Sequence, residues 1–340
     1  MGAAGAVPVA VEVLRGGRVE SRHRVALAVA DPAGSLVILV GDPAARVFPR
    51  SAVKPAQAIP LVETGAADAF GLGAAELALA CASHNGEPRH VETVLAWLAR
   101  LGLEPEALAC GAHPPLFGPS AAALRQAGAA PSRAHNNCSG KHAGMLTTAL
   151  HLGESVAGYE RADHPVQRRI RAVLEDLAGE ALPEPPTIDG CGIPAWTVSL
   201  AGLALLAARF AAPDELPRAR QAAVRRLAAA MREEPWLVAG TGRACTAIMQ
   251  AAPHVLVKTG AEGVFWAALP ERGLGLALKV EDGAGRAAEP ALIAALRALE
   301  AVDDGALEAL ERFAAPTLRT HAGDAVGQIK VVSGWPAVAR

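Results

Sequence analysis

A serine followed three residues later by a lysine could form a nucleophile with its base. These are Ser51 and Lys54, in the stretch FPRSAVKPAQAIP. Positions i and i+3 of a helix share a face, so the amine can reach the hydroxyl. A serine hydroxyl is a weak nucleophile until its proton is removed, and a buried, neutral lysine can remove it. Backbone N–H groups at the helix start would stabilise the oxyanion. The simpler alternative is a helix cap, with Ser51 as N-cap and Lys54 in solvent.

Two further motifs favour the catalytic interpretation. Ser83 and Asn85 form an S-x-N triplet within CASHNGE, and Lys258, Thr259 and Gly260 form a K-T-G at the end of a predicted strand. S-x-x-K, S-x-N and K-T-G in this order are the motifs of penicillin-binding proteins and serine β-lactamases. The set therefore indicates a serine–lysine acyl-transfer site. The interval between the first two motifs is short for a β-lactamase, which separates the chain from those enzymes.

Two glycine-containing stretches bring cysteines close to other reactive side chains. HNNCSGKHAG holds Cys138, Lys141 and His142, and IDGCGIPAW holds Asp189 and Cys191. C-x-x-K is not an ordinary zinc motif, and two buried thiols beside turn glycines would explain the pattern equally well. Spacing alone leaves both interpretations open.

Composition narrows the class of protein. The chain has 340 residues, 51% of them hydrophobic, enough for a large core in one domain or two lobes. A net charge of −2 provides no basic field for a phosphate backbone, which argues against nucleic acid as a partner. No apolar run reaches the roughly 18–20 residues of a membrane span, and no positive region precedes the first apolar run. We expect a cytoplasmic protein with no membrane partner and reduced thiols.

Strand patterns gather at the two ends of the chain. Between the ends, helical periodicity dominates. Closely spaced strands are typical of antiparallel hairpins rather than βαβ crossovers. We predict an α/β (α+β) fold, with a mainly antiparallel sheet built from both chain ends and a helical lobe. Residues 1–340 would form one compact catalytic unit. Its sheet lobe would cover about 1–50 and 251–340, and its helical lobe about 51–250.

Four motifs together resemble one known family. R-S-x-x-K-P, A-S-H-N-G-E, H-N-N-C-S-G-K-H-A-G and D-G-C-G-I-P are similar to those of the L-asparaginase II family of rhizobial type, also called class 3. The resemblance runs from the first strands to the K-T-G region. It implies a homodimer with a serine β-lactamase-like fold that hydrolyses L-asparagine to L-aspartate and ammonia.

The resemblance also implies roles for the serines and lysines. Ser51 would be the nucleophile with Lys54, and Ser83 would form a second serine–lysine pair with Lys258. Two lysines around one pocket would lower each other's pKa, which would let a lysine act as a base near neutral pH.

A zinc site is a further implication of the resemblance. Cys138, Lys141 and Cys191 would hold the ion close to the substrate pocket. Lysine can bind a metal only as the free amine, so Lys141 would need a strongly lowered pKa. Because the serine machinery needs no Lewis acid, we expect zinc to tune substrate affinity and local order more than bond cleavage.

Charge matching suggests how the amino-acid end of the substrate is held. The α-carboxylate needs a cation, which Arg50 or Lys258 could supply, and the α-ammonium needs an anion, for which Asp189 is nearest by motif. The other substrate contacts are expected from the same motifs, at Asn85, His142, Gly190, Thr259 and Gly260.

Three other functions stay open. A glutaminase, or an enzyme acting on both amides, would differ by one methylene in the pocket, worth only about 1–3 kcal/mol. A penicillin-recognising acyltransferase or carboxypeptidase would use the same serine–lysine chemistry. A silent amino-acid or zinc-binding module would keep the fold without turnover, although two complete serine–lysine pairs argue against it.

Overall fold

The computed structural model of the chain describes residues 6–336. Backbone contacts divide the chain into two compact units, which we call the sheet unit and the helical unit after their main elements. The sheet unit comprises Met1–Ala52, Val198–Ala212 and Ala247–Arg340. The helical unit comprises Val53–Thr197 and Pro213–Thr246.

Strands occur near both ends of the chain and in short pairs between them. They are β1 (Val9–Arg15), β2 (Arg18–Ala30), β3 (Leu36–Val40), β4 (Arg46–Val47), β5 (Thr187–Ile188), β6 (Pro194–Ala195), β7 (Val198–Ser199), β8 (Leu256–Thr259), β9 (Val264–Leu269), β10 (Leu274–Val280), β11 (Thr317–Arg319) and β12 (Ala325–Val331). The main sheet has eight strands in the order β11-β12-β1-β2-β10-β9-β8, with β3 also paired to β2. β4 pairs with β7, and β5 pairs with β6.

The two ends of the chain meet in this sheet. β1 runs antiparallel to β12, with Val11 opposite Val331, and β2 runs antiparallel to β10, with Leu27 opposite Leu278. Residues 25–30 of β2 are buried one after another, as expected where both faces of a strand are covered. The predicted antiparallel sheet built from both chain ends is confirmed.

Helices fill most of the remaining chain. They are α1 (Lys54–Gln57), α2 (Ile59–Glu63), α3 (Ala66–Ala69), α4 (Ala74–Ala80), α5 (Pro88–Arg100), α6 (Gly118–Gln126), α7 (Ser139–His151), α8 (Pro165–Ala178), α9 (Leu200–Ala211), α10 (Arg218–Glu233), α11 (Pro235–Ala239), α12 (Ala244–Ala251), α13 (Gly285–Ala298), α14 (Asp304–Ala309) and α15 (Glu311–Ala314). Short 3₁₀ turns cover Arg50–Val53, Pro105–Ala107, Arg133–His135 and Pro270–Arg272. None of the helices described is long and apolar enough to cross a membrane.

Helices α9 and α13 pack against the sheet within its own unit. A Cβ added at Gly275 of β10 would lie 1.9 Å from Ala208 N of α9, so this crossing requires a glycine. The sequence places α9 inside the predicted helical lobe, whereas the structure places it in the sheet unit. A helix that is apolar almost all round suits burial against a sheet, and nothing in its own periodicity distinguishes that partner from other helices.

In the helical unit, α7 crosses α4 at close range. A Cβ on Gly140 of α7 would lie 2.4 Å from Leu79 O of α4, so the backbones touch where both motifs begin. α4 leads directly into CASHNGE, and α7 begins within HNNCSGKHAG. The crossing therefore brings two candidate-site motifs together.

Candidate functional site

Ser51 lies in the 3₁₀ turn Arg50–Val53, which runs directly into α1. The end of β8 abuts this turn: a Cβ on Gly260 would lie 2.3 Å from Pro49 O and 3.3 Å from Ala52 Cβ. The indole N–H of Trp266 on β9 donates to Ala52 O. The sheet unit thus brings the Ser51 turn against the K-T-G strand, and the glycine of K-T-G permits the approach.

The residue before Ser51 has an unusual backbone. Arg50 has φ of 51°, in the left-handed region that favours glycine. Such a conformation costs on the order of 1–3 kcal/mol and is found preferentially at active sites and ligand clamps. Glu262 and Glu300 have the same backbone conformation, so the strain at Arg50 fits a functional turn but does not by itself identify one.

Lys54 is completely buried in the helical unit and has three oxygen partners. Its amine lies 2.6 Å from Ala82 O, 2.8 Å from Ser83 Oγ and 3.2 Å from Asn137 O. Burial lowers the pKa of Lys54, the charge of Lys141 lowers it further, and a thiolate at Cys138 opposes both. A lysine with a lowered pKa can be neutral near neutral pH.

The partners of Lys54 determine where a neutral amine would direct its lone pair. The two main-chain carbonyls can only accept, so they take the two amine hydrogens. The remaining position faces Ser83 Oγ, whose hydroxyl can donate. Ser83 is itself held by its backbone, since its N–H donates to Val238 O at 3.0 Å. The Ser83 hydroxyl is therefore the group that would donate a hydrogen bond to the lone pair of a neutral Lys54 amine.

Cys138, Lys141 and Cys191 form a buried cluster in the helical unit. Cys138 is the N-cap of α7, Lys141 follows one turn later, and Cys191 lies between β5 and β6. Lys141 Nζ donates to Cys191 Sγ at 3.1 Å, and Cys138 Sγ donates to Asn137 Oδ1 at 3.2 Å. The predicted set is thus brought together from residues 50 positions apart in the chain.

The side chains of this cluster shift one another's pKa values. The neighbouring Cys191 thiol lowers the pKa of Cys138, and Cys138 in turn raises the pKa of Cys191. Burial lowers the pKa of Lys141, but the charges of Cys138, Cys191 and Asp189 outweigh burial and the net shift is upward. This direction is opposite to the lowered pKa that metal binding by Lys141 requires. A metal would have to displace that proton.

Asn85 and its neighbours form a network that holds the CASHNGE loop. Asn85 Nδ2 donates to Glu87 Oε1 at 3.1 Å and to Thr241 O at 3.0 Å, and Arg243 Nη1 donates to Asn85 Oδ1 at 3.0 Å. These bonds use both amide hydrogens of Asn85. A substrate contact by this side chain stays a prediction.

His84, between Ser83 and Asn85, is a site residue that sequence reasoning missed. Its Nδ1 accepts from Gly86 N at 3.1 Å, so the proton lies on Nε2, which donates to Ser139 Oγ at 3.0 Å. Ser139 passes its own hydrogen to Ala134 O at 2.9 Å. Burial holds the pKa of His84 well below its usual value. His84 therefore ties the CASHNGE loop to α7 as a neutral side chain.

His90 and Trp236 extend from His84 as a stack of rings. The His84 and His90 rings are 4.8 Å apart, and the His90 and Trp236 rings are 4.2 Å apart, each pair nearly parallel. Neither His90 nor Trp236 belongs to a recognised motif, so only the fold reveals the stack.

His142, a predicted substrate contact, is buried beside Tyr159, the one tyrosine in the sequence. His142 Nδ1 lies 2.6 Å from the Tyr159 hydroxyl, which also accepts from Ala109 N at 2.8 Å. Burial raises the pKa of Tyr159, and burial with the charges of Lys141 and Lys54 lowers that of His142. Sequence reasoning missed Tyr159. The signal that could have found it is compositional, because it is the one tyrosine in the sequence.

The remaining predicted residues lie at two loop ends. Asp189 Oδ1 accepts from Gly190 N at 2.7 Å, in the loop between β5 and β6. Lys258 Nζ donates to Thr259 O at 2.9 Å, at the end of β8. The pairings of Ser51 with Lys54 and of Ser83 with Lys258 each join residues of different units and stay predictions.

The family model for L-asparaginase II matches residues 11–331. The chain belongs to the L-asparaginase II family. This membership confirms the resemblance carried by the four motifs.

Other comparisons concern individual proteins. No curated protein matches the chain in sequence. Among solved structures, Mglu in its tris and glutamate form has 17% sequence identity and a TM-score of 0.46, with 87% of this chain and 64% of that chain covered. This chain therefore spans less than two thirds of that structure. A β-lactamase from Mycobacterium bovis has 18% identity and a TM-score of 0.40, with 82% of this chain and 95% of that chain covered.

Proposed function

We propose that this protein hydrolyses L-asparagine to L-aspartate and ammonia through an acyl-enzyme on Ser51. The observation that supports the proposal is the buried Lys54, which lies three residues after Ser51 and whose two carbonyl partners leave its third position to the Ser83 hydroxyl. Family membership supplies the reaction class, and the motif order supplies the identity of the nucleophile.

Acylation would begin with proton transfer to a neutral Lys54. The Ser51 oxygen attacks the side-chain carboxamide carbon of the substrate, and main-chain N–H groups of the Ser51 turn stabilise the oxyanion. The tetrahedral intermediate then collapses as its C–N bond breaks. The amide nitrogen takes a proton from Lys54, directly or through the Ser83 hydroxyl, and leaves as ammonia.

Deacylation would use the same groups in reverse. Lys54 takes a proton from a water molecule, which attacks the aspartyl ester. The C–O bond to Ser51 breaks, the serine oxygen regains its proton, and L-aspartate is released. Lys258 stays the predicted partner of Ser83 in this cycle.

The amino-acid end of the substrate would be held by charge. Arg50 or Lys258 would meet the α-carboxylate, and Asp189 would meet the α-ammonium. An unchanged KM for asparagine in Asp189→Asn would remove Asp189 from this role. The predicted homodimer and cytoplasmic location remain expectations.

We also propose that Cys138, Lys141 and Cys191 hold a zinc ion. The residues described contain no group of three or more His, Cys, Asp or Glu side chains suited to a metal, so the site depends on the lysine. Lys141 contacts Cys191, and Cys138 is the buried N-cap of the helix that carries Lys141. Two thiolates with an amine would leave a fourth position for water. When bound, zinc would supply a local positive charge and fix the Cys191 loop against α7. No proton-transfer step above uses it.

Ammonia release tests the proposal directly. Purified wild type and Ser51→Ala are assayed on L-asparagine and L-glutamine, each with and without added zinc. Turnover of asparagine that vanishes in Ser51→Ala supports both the reaction and the nucleophile. Turnover of glutamine alone would show that the substrate is glutamine rather than asparagine. If neither amide is turned over and a fluorescent penicillin labels the protein, the function would instead be that of a penicillin-recognising acyltransferase or carboxypeptidase.

A further inference from the structure

The hydrogen bonds around Tyr159 determine which nitrogen of His142 carries the proton. A phenol oxygen has one hydrogen to give and two lone pairs. The Ala109 N–H can only donate, so it occupies one lone pair of the Tyr159 oxygen. If His142 Nδ1–H donated to the second lone pair of the Tyr159 oxygen, the buried phenol hydrogen would have no acceptor among the residues described. The phenol therefore donates to Nδ1, and the imidazole proton lies on Nε2.

This tautomer leaves His142 with an unmatched donor. Within the described part of the chain, His142 Nε2 has no hydrogen-bond partner, although the side chain is completely buried. Buried polar groups in native proteins are nearly always paired, so an unmatched N–H indicates an acceptor that comes from outside the chain. An oxygen of a bound substrate, with a free lone pair, would meet this requirement.

His142 lies where a substrate oxygen would be expected. Positions i, i+3 and i+4 of a helix share a face, so His142 lies on the face of α7 that carries Cys138 and Lys141. Lys54 Nζ lies 3.2 Å from Asn137 O, one residue before the N-cap of the same helix. The unmatched donor is thus among the groups assigned to the reaction, rather than in a distant part of the core.

Tyr159 is held rigidly enough to impose this arrangement. Its carbonyl accepts from Gln167 Nε2 of α8 at 2.9 Å, and its hydroxyl is held by Ala109 N. Its ring meets His142 edge-on, with centroids 5.5 Å apart and an interplanar angle of 79°. Both ends of the residue are therefore anchored independently of His142.

We propose that Tyr159 is a positioning residue that holds the His142 proton on Nε2, and that this N–H donates to an oxygen of the bound amino-acid amide. The second half of the inference rests on the proposed function. The first half depends only on the structure.

Tyr159→Phe tests the arrangement, with Thr147→Val as the matched control. Thr147 also lies on α7, and its buried hydroxyl accepts from Trp97 Nε1 at 3.0 Å. Each variant therefore deletes one buried hydroxyl and leaves one N–H donor without its acceptor. Of the two replaced side chains, only that of Tyr159 contacts His142.

Ring-¹⁵N histidine NMR of the full-length protein reads the tautomer, with the His142 signals assigned by their loss in His142→Gln. We expect a proton on Nε2 and a hydrogen-bonded Nδ1 in wild type and in Thr147→Val. In Tyr159→Phe, no hydroxyl fixes the tautomer, so the proton should be shared between the two nitrogens and the Nδ1 resonance should move towards that of an unconstrained neutral imidazole. A proton on Nδ1 in wild type, or an Nδ1 resonance that Tyr159→Phe leaves in place, would overturn the inference.

Kinetics decide whether the donor serves the substrate. Tyr159→Phe should raise KM for the amide about tenfold, the effect of one hydrogen bond, with a smaller change in kcat, and Thr147→Val should leave both unchanged. In the His142→Gln background, Tyr159→Phe should add little, because no imidazole tautomer remains to be set. Equal KM effects in the two hydroxyl variants, or full additivity with His142→Gln, would mean that Tyr159 is only structural. A wild type without amide turnover would end the proposed function and the second half of this inference, and NMR would still decide the first half.

Discussion

The amine of Lys54 lies 2.8 Å from the hydroxyl of Ser83, a residue 29 positions later in the chain. The motif that contains Lys54 was expected to serve Ser51, three residues before it. The contact links the S-x-x-K and S-x-N motifs through one buried amine. In the proposed reaction, Lys54 would return through Ser83 the proton that it takes from Ser51.

Replacement of Lys54 separates its role as a base from its positive charge. Lys54→Met should lower kcat/KM by about 10²–10⁴, the usual contribution of a general base. Lys54→Arg should be equally inactive, because a guanidinium stays protonated at any working pH. Steady-state ammonia release measures both, with circular dichroism to confirm folding. Activity retained in the arginine variant would show that charge alone is needed.

Gly260 should be essential for the position of the Ser51 turn. Gly260→Ala places a Cβ 2.3 Å from Pro49 O, so the strand end or the turn must shift. We expect a loss of about 1–3 kcal/mol in the free energy of unfolding, as for other overpacked sites, together with a lower kcat. Urea unfolding and ammonia release measure the two effects.

Gly285→Ala is the matched control for that change. Gly285 begins α13 in the same unit, and a Cβ there meets nothing within 4 Å. Its stability and turnover should match those of wild type. Equal losses in the two variants would contradict a specific role for Gly260.

Stability should fall as the pH is lowered towards 5. Burial lowers the pKa of His90 from 6.5 to about 4, against smaller opposing effects from Trp236 O and Glu87 and a further lowering by Arg89. Below pH 6.5 the unfolded chain binds a proton that the folded protein does not bind until about pH 4. The contribution of His90 is therefore present above pH 6.5 and is lost as the pH falls from there to 4. Between about pH 7.5 and pH 5 the loss should be about 2 kcal/mol.

His90→Gln isolates this effect. The Glu87 N–H donates to His90 Nδ1 at 3.2 Å at the start of α5, and glutamine is favoured at that position of a capping box. Urea unfolding at both pH values should show a smaller pH dependence in the variant. Buried His84 changes stability in the same direction, so some pH dependence should remain. An unchanged pH dependence would contradict the assignment to His90.

Loss of a thiol should reveal what zinc does. Cys138→Ala removes one of the three proposed ligands, so the purified protein should hold much less zinc by elemental analysis. We expect KM for asparagine to rise several-fold while kcat changes little, because no proton-transfer step uses the metal. Cys245→Ala, a buried cysteine outside the cluster, is the control. If Cys138→Ala loses its zinc but keeps the kcat and KM of wild type, zinc has no effect on substrate affinity and the proposed modulating role is wrong.

Sequence reasoning succeeded where the signal is local. β-branched runs at both ends predicted the sheet, which the structure confirms. The pairings expected from three-residue spacings, Ser51 with Lys54 and Cys138 with Lys141, stay predictions. Contacts between distant segments were not predictable. The bond from Ala109 to Tyr159 spans 50 residues, and the stack of His90 on Trp236 joins segments even farther apart. No periodicity marks such contacts, because each depends on how finished helices and loops pack.

The helix α9 shows the same limit at the level of the fold. Its apolar pattern predicts burial but not the partner, and the structure buries it against the sheet. Sequence separation gives no help, since α9 is preceded and followed by segments of the helical unit.

The single tyrosine has a practical consequence. Biosynthetic replacement of tyrosine by fluorotyrosine would introduce one ¹⁹F nucleus into the whole protein, at position 159 beside His142. The spectrum would contain one signal, which needs no assignment and is readable even in a large oligomer. Titration with L-aspartate, asparagine or zinc could then be followed at the candidate site without any mutation.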